Sequence, residues 1–109
     1  MYTSFIIPCY NCKKYIVTTV KSLINQTIKP QEIILINDAS TDGTLEILEQ
    51  IKTENPKIVK VINLKENKGP SYARNYGVKN SAGDYILFMD SDDVAEPVLI
   101  EKYLSRLDE

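Results

Sequence analysis

Ile33-Ile34-Leu35-Ile36 puts four apolar side chains on consecutive positions between Glu32 and Asn37. Side chains alternate faces along a strand, so a run with no polar face must be covered on both sides. Such a strand belongs inside a parallel sheet with helices above and below it. The rest of the chain supplies the partners. Residues 3–8, 58–64 and 85–89 read as three further strands, and 32–37 as the buried one. Between them lie segments of helical spacing. Residues 12–27 carry Ile16, Val20, Leu23 and Ile24 on one face, and 42–54 carry Leu45, Leu48 and Ile51. Residues 70–81 form a third helix ended by Ser81-Ala82-Gly83, and Pro97 opens a fourth with Ile100, Tyr103, Leu104 and Leu107. Ser40 or Thr41 is the expected N-cap of the second helix, with Asp42 at its favourable end. The β-α-β-α-β-α-β-α order predicts an α/β, Rossmann-like, mostly parallel sheet with right-handed crossovers and helices on both faces.

In such sheets ligands bind beyond the carboxyl ends of the strands. Tyr10-Asn11, Asp38-Ala39-Ser40, Asn67-Lys68-Gly69 and Asp90-Ser91-Asp92-Asp93 each follow a predicted strand, so four polar clusters should share one edge. Loops are polar in any protein, but that does not explain acids continuing two apolar strands directly. The 109 residues suit one domain spanning 1–109, and 43% hydrophobic residues suffice for a core. Thirteen basic against 15 acidic residues, net −2, advertise no nucleic-acid partner. No apolar run is long enough to span a bilayer, and Phe5-Ile6-Ile7 is too short for a signal-peptide core, so a cytoplasmic location is expected.

The chemistry concentrates in Leu87-Phe88-Met89-Asp90-Ser91-Asp92-Asp93. Three carboxylates at a strand end repel one another, and become stable by sharing a cation or by remaining hydrated. Oxygen ligands in a chain with no His favour a hard ion, Mg²⁺ or Mn²⁺, completed by water and substrate phosphates. A helix-capping acidic turn before Pro97 is the plainer alternative. Neither G-x-G-x-x-G nor G-x-x-x-x-G-K-[ST] occurs, so metal charge would have to replace a glycine-rich phosphate cradle. Asp38 could accept from a base N–H or a ribose hydroxyl, or serve only as a turn residue. Tyr10 offers a flat face to a base, or packs under its loop. Arg74 could pair with phosphate or with the acids, or be a solvated helix residue. Cys9-Tyr10-Asn11-Cys12 is a literal C-x-x-C at a helix start, where a thiol pKa falls. It lacks the Gly or Pro that redox sites often carry between the cysteines, and a zinc site would need further Cys or His. Two small cysteines beside a binding loop is the simpler reading.

Phe5-Ile6-Ile7-Pro8-Cys9-Tyr10-Asn11, Ser22-Leu23 with Gln26-Thr27, and Glu32 through Thr44 occur in order. Asn67-Lys68-Gly69, Ala73-Arg74-Asn75 and Gly83-Asp84-Tyr85 leading into Asp90-Ser91-Asp92-Asp93 complete the set. The ordered set resembles glycosyltransferase family 2, the inverting GT-A type, across nearly the whole chain. The resemblance implies a nucleotide-sugar donor, commonly a UDP-sugar, with Pro8, Tyr10 and Asp38 around the base and Asn11 completing that motif. It implies Asp90 near the ribose and sugar, and Asp92 on the metal with Asp93 a second candidate. Two positions depart from the family: Asn37 stands where a second acid is common, and Ala39 where Gly is common. Ala39 suggests that no positive φ is needed there.

An inverting transfer also needs a general base for the acceptor hydroxyl. By the resemblance that residue lies beyond Glu109, in a part that binds a saccharide or lipid-linked acceptor. The expectation is therefore a truncated chain that binds donor without transferring sugar efficiently, from a protein peripheral at the membrane. An open sheet edge makes a homodimer conceivable. Three rival readings share parts of this pattern. A haloacid-dehalogenase-type phosphatase would use Asp90 as nucleophile, but its D-x-D ends the first strand. A receiver domain would place acids where Pro8-Cys9-Tyr10-Asn11 stand. A domain that binds nucleotide or a partner without catalysis is the third.

Overall fold

The two-sided apolar run occupies the interior of a four-stranded sheet. In this computed structural model, which describes residues 2–107, β1 (Thr3–Cys9), β2 (Glu32–Asp38), β3 (Val59–Leu64) and β4 (Tyr85–Phe88) alternate with four helices. These are α1 (Ile16–Ile24), α2 (Thr44–Glu54), α3 (Pro70–Lys79) and α4 (Leu99–Leu107). Met1, Asp108 and Glu109 of the expected 1–109 domain lie outside the described residues. The strand order is β3-β2-β1-β4 and every pairing is parallel. All seven residues of β2 are buried. Ile33 and Leu35 face a core with Phe5, Ile7, Val20, Leu23, Leu48 and Ile100. Ile34 and Ile36 face a second core with Ile6 and Ala73.

The chain steps outward from β1 to β3, then crosses back to lay β4 against the other side of β1. That reversal is what sends α3 to the face opposite α1 and α2. α3 lies tightly on the sheet because Gly77 has no side chain. A Cβ there would come within 2.6 Å of an Ile6 methyl and 2.9 Å of one on Ile36. Among the described residues no helix is long and apolar enough to cross a membrane.

Several boundaries differ from the sequence expectations. α1 is shorter than 12–27, because the Tyr15 and Ile16 N–H groups both reach the Cys12 carbonyl at 3.0 Å in a separate entry turn. α2 is capped by neither Ser40 nor Thr41. The Asp42 carboxylate accepts the Thr44 N–H at 3.0 Å, across Gly43 at φ 92°. α4 begins at Leu99 rather than Pro97, after a turn in which Leu99 N–H reaches the Glu96 carbonyl. Ile100 is its one fully buried residue, while Tyr103 and Leu107 are exposed. β4 is the last strand on that side, so α4 overhangs an edge with little beneath its outer turn.

At the amino ends of the strands, Glu32 is wholly buried. Its carboxylate accepts from Ser4 Oγ at 2.8 Å, from the Ala82 N–H at 3.0 Å, and from Lys60 in an ion pair. One side chain thus ties β1, β2, β3 and the loop into β4. Burial alone would raise its pKa, but the hydrogen bonds from Lys60, Ala82 and Ser4 outweigh burial and hold it below the ordinary 4.5. A depressed carboxyl pKa adds stability above the unfolded value, which is lost as pH falls through the folded value. Glu32→Gln, which keeps the volume and removes the charge, should cost about 2 kcal/mol at pH 7. The gap should narrow as the pH drops below 4.5. Urea unfolding of both proteins across that range checks this, and parallel acid slopes would show that the Glu32 charge is not the cause.

Candidate functional site at the carboxyl edge of the sheet

All four strands are parallel, so the four loops that follow them emerge at one edge. There they surround a cavity of about 550 Å³, within the range of small-ligand sites. Pro8 lines it from the end of β1, Tyr10 and Asn11 from the first loop, Asp38 from the end of β2, and Asp90 and Asp92 from the fourth loop. Asn67 and Gly69 join from the third loop, and Arg74 from α3. Asp93 instead lines a larger groove of about 1090 Å³ beside β4, which the cavity meets at Arg74 and Asp90. The crevice lies where strand order reverses, with β1 between β2 and β4.

These loops brace one another. Asn11 sits at φ 48°, a left-handed turn that Asn tolerates. Its N–H donates to Ser40 Oγ at 3.0 Å, and its Oδ1 accepts the Thr41 N–H at 2.8 Å. Lys13 N–H and Cys12 N–H reach Asp42 and Thr44 in the same way, at 3.3 and 3.1 Å. The Thr44 hydroxyl, with the Thr44 and Lys13 N–H groups, holds the Asp42 carboxyl below its usual range. The first loop is therefore clipped to the second. Ala39 contradicts its sequence reading: it adopts φ 58°. Its neighbours impose that turn, since Ser40 N–H is drawn to Asn37 Oδ1 at 3.2 Å while Asp38 is fixed by the third loop. The strain of a left-handed alanine, about 1–2 kcal/mol, is small against those bonds and the burial of β2.

Asp38 is more committed than either sequence alternative supposed. It is 3% exposed, and its two oxygens accept the Lys68 and Gly69 N–H groups at 2.8 and 2.9 Å. The third loop hangs from this carboxylate. Tyr10 does not pack under its loop, since half of it is exposed at the rim. Arg74 is half-buried between the two cavities and forms no ion pair among the described residues.

The acidic loop also differs from its expected setting. β4 is a short edge strand with Phe88 54% exposed, so the acids do not end a buried strand. Asp90, Asp92 and Asp93 are all exposed, and an oxygen of each lies within 4.8 Å of the others. Hydration offsets their repulsion while the loop holds them convergent. Three clustered carboxylates with no sulfur or imidazole among them fit a hard divalent cation.

What holds the loop escaped the sequence reading. Thr19 Oγ1 donates to the Ser91 carbonyl at 2.9 Å, and Ser22 Oγ accepts the Ala95 N–H at 3.0 Å. Gln26 Nε2 donates to the Glu96 carbonyl, and its Oε1 accepts the Ile100 N–H at 3.1 Å. Thr19 and Gln26 are buried polar residues, spaced with Ser22 along α1 and its exit. Polar residues at helical spacing beside the Ile16, Val20 and Leu23 stripe were the available signal.

The profile of Glycosyl transferase family 2 matches residues 4–109. A chondroitin synthase of Escherichia coli is 46% identical over 103 residues, which are 94% of this chain and 15% of that protein. TarS of S. aureus, solved with UDP, is 37% identical, with a TM-score of 0.87 over 99% of this chain and 32% of the other. The same protein has also been solved with UDP-GlcNAc. A mannosyltransferase from Pyrobaculum calidifontis, solved with GDP-Man and Mn²⁺, has a TM-score of 0.88 over 98% of this chain and 32% of its own. At 20% identity that likeness bears on the fold alone. The chain spans 10% to 40% of the length of the curated relatives it matches.

Gln26→Ala should leave the Ile100 N–H without a partner and the Glu96 carbonyl with only the Leu99 N–H, costing about 2 kcal/mol. Amide hydrogen exchange should quicken across residues 91–100 and little elsewhere. Unchanged exchange there would show that the acidic loop is anchored by other contacts.

Proposed function

Because the chain belongs to glycosyl transferase family 2, we propose that its carboxyl-edge cavity binds the nucleoside diphosphate of a nucleotide-sugar donor, a UDP-sugar above others. The observation that carries this reading is the convergence of four loops on one cavity, lined by two of three carboxylates that cluster within 4.8 Å. The UDP held by the 37%-identical TarS supports the choice of base. In this proposal Tyr10 presents its ring to the base, with Pro8 and Asn11 shaping the same wall. Asp38 retains lone pairs beyond the two that its backbone bonds occupy, and these accept from the base or the ribose. Asp90 approaches the ribose and the sugar, and Arg74 meets diphosphate charge from the opposite lip.

Asp92 and Asp93 hold Mg²⁺ or Mn²⁺ against the diphosphate. A bound ion of this kind neutralises charge that develops on a departing nucleoside diphosphate. The contribution of the chain is to keep those two carboxylates hydrated, convergent and fixed to α1 before ligand arrives. Transfer with inversion needs a base beside the acceptor hydroxyl. We assign that base, and the site for a saccharide or lipid-linked acceptor, to the remainder of a longer protein. The relatives' greater length supports this assignment.

Titration calorimetry with UDP, in Mn²⁺ and then in excess chelator, tests the reading. Binding should require the metal, and Asp92→Asn should weaken it by roughly 10- to 100-fold, with Asp93→Asn intermediate. Binding indifferent to chelator would overturn the metal's role. A folded chain that ignores UDP and other nucleoside diphosphates would overturn the donor site.

A further inference from the structure

The outer face of α3 carries a row of side chains that neither core uses. Ala73 and Gly77 are buried against the sheet, while Tyr72, Tyr76 and Lys79 are exposed. Residues spaced by three and four share a helix face, so these three form one stripe about 10 Å long. Lys68 extends it into the loop before the helix, with its Nζ 5.9 Å from the centre of the Tyr72 ring. The Tyr72 and Tyr76 rings stack, with 6.2 Å between centroids and 29° between planes. Despite that contact, Tyr72 is 45% and Tyr76 38% exposed.

Such a pair adds only slightly to the stability of a helix. Single apolar groups on a surface need no explanation, but adjacent ones mark a place where something binds. Neither ring lines the nucleotide cavity or the groove beside β4. The stripe is therefore a separate feature, and its chemistry selects a ligand. No exposed aliphatic side chain accompanies the rings on α3; Ser71 and Asn75 stand beside them instead. Flat rings set among a hydroxyl and an amide suit a ligand that is apolar on its faces and hydroxylated at its rim, which describes a sugar ring. The separation of the two tyrosines is comparable with that of successive rings in an extended saccharide.

Charge narrows the class further. α3 contains Arg74 and Lys79 and no acid. Lys79 forms no ion pair among the described residues, and Lys68 meets only Glu66, at 3.2 Å. Both members of that pair are well exposed, and such pairs contribute little. A carboxylate on a ligand can therefore take the Lys68 ammonium from Glu66.

We propose that Lys68, Tyr72, Tyr76 and Lys79 form a binding site for an acidic oligosaccharide, stacked on the two rings and paired to a lysine at each end. The site is distinct from the nucleotide cavity but adjoins it. Lys68 N–H is fixed by Asp38, and its neighbours Asn67 and Gly69 line that cavity. A saccharide lying along α3 thus has one end at the carboxyl edge of the sheet. Holding a polymer there raises its effective concentration at that edge. Binding on α3 does not itself rest on the donor-site reading.

The test is an NMR titration of amide shifts in this chain with tetragalacturonate at low salt, with maltotetraose as the neutral control. Tetragalacturonate should shift the amides of residues 66–80, bind about tenfold or more tightly than maltotetraose, and weaken as salt is raised. Replacing both rings, Tyr72→Ala with Tyr76→Ala, should weaken it by about tenfold or more. The same variant should bind UDP as the parent does, and its unchanged amide spectrum away from α3 confirms that it folds. Lys68→Gln with Lys79→Gln should abolish the preference for the acidic sugar. An α3 that responds to neither sugar overturns the site. Equal affinity for the two sugars overturns the role of the lysines. Shifts on α3 that follow protein concentration without sugar show that the face receives a second copy, and overturn the saccharide assignment. A chain that binds tetragalacturonate on α3 but no nucleotide overturns the donor reading and leaves this site standing.

Discussion

The burial of β2 on both faces is the constraint from which the rest of the molecule follows. Ile33, Ile34, Leu35 and Ile36 are each fully buried, and burying such side chains is worth about 1.5–3 kcal/mol apiece. No arrangement with helices on one side could collect that energy. The chain must therefore cover the second face, and right-handed crossovers allow this only if the direction of strand addition reverses. β4 consequently lies against β1, and the cavity sits at that reversal, among the loops that follow the strands. Gly77 lets α3 come close enough to close the second core. The location of the site is a by-product of filling the interior.

The two ends of the sheet treat carboxylates in opposite ways. At the amino end Glu32 is sealed away and fully supplied with donors, so its charge serves the scaffold. At the carboxyl end Asp90, Asp92 and Asp93 are left in water and close together. A buried charge without partners is costly, whereas exposed neighbours repel only weakly through solvent. The exposed acids can therefore stand in water at little cost, whereas Glu32 is enclosed among its donors. Asp38 is intermediate, buried like Glu32 but placed at the ligand edge, with two backbone bonds and capacity for more.

The alternation of strands and helices was readable because it rests on burial periodicity, which is a property of local sequence. The convergence of Tyr10, Asp38 and Asp92 was readable for a related reason, since parallel strands send their following loops to one edge. Features set by tertiary bonds were not readable. Ala39 takes a positive φ because Asn37 and the third loop grip its neighbours, a fact that its own side chain conceals. Pro97 marks a plausible helix start, but Thr27 N–H binds its carbonyl and the helix forms later. Ile100, Tyr103, Leu104 and Leu107 share a helical spacing, but the spacing does not reveal that Ile100 alone of them is fully buried. Thr19 was hidden by residue type, because polar residues within a helix ordinarily face solvent.

Each loop at the carboxyl edge is held by a neighbouring element, and the second and fourth also by turns of their own. The first and second exchange bonds through Asn11, Ser40 and Thr41, the third hangs from Asp38, and the fourth is tied to α1. Fixing the loops before ligand arrives means that binding does not have to order them, which favours affinity. It also means that no lip of the cavity can shift alone.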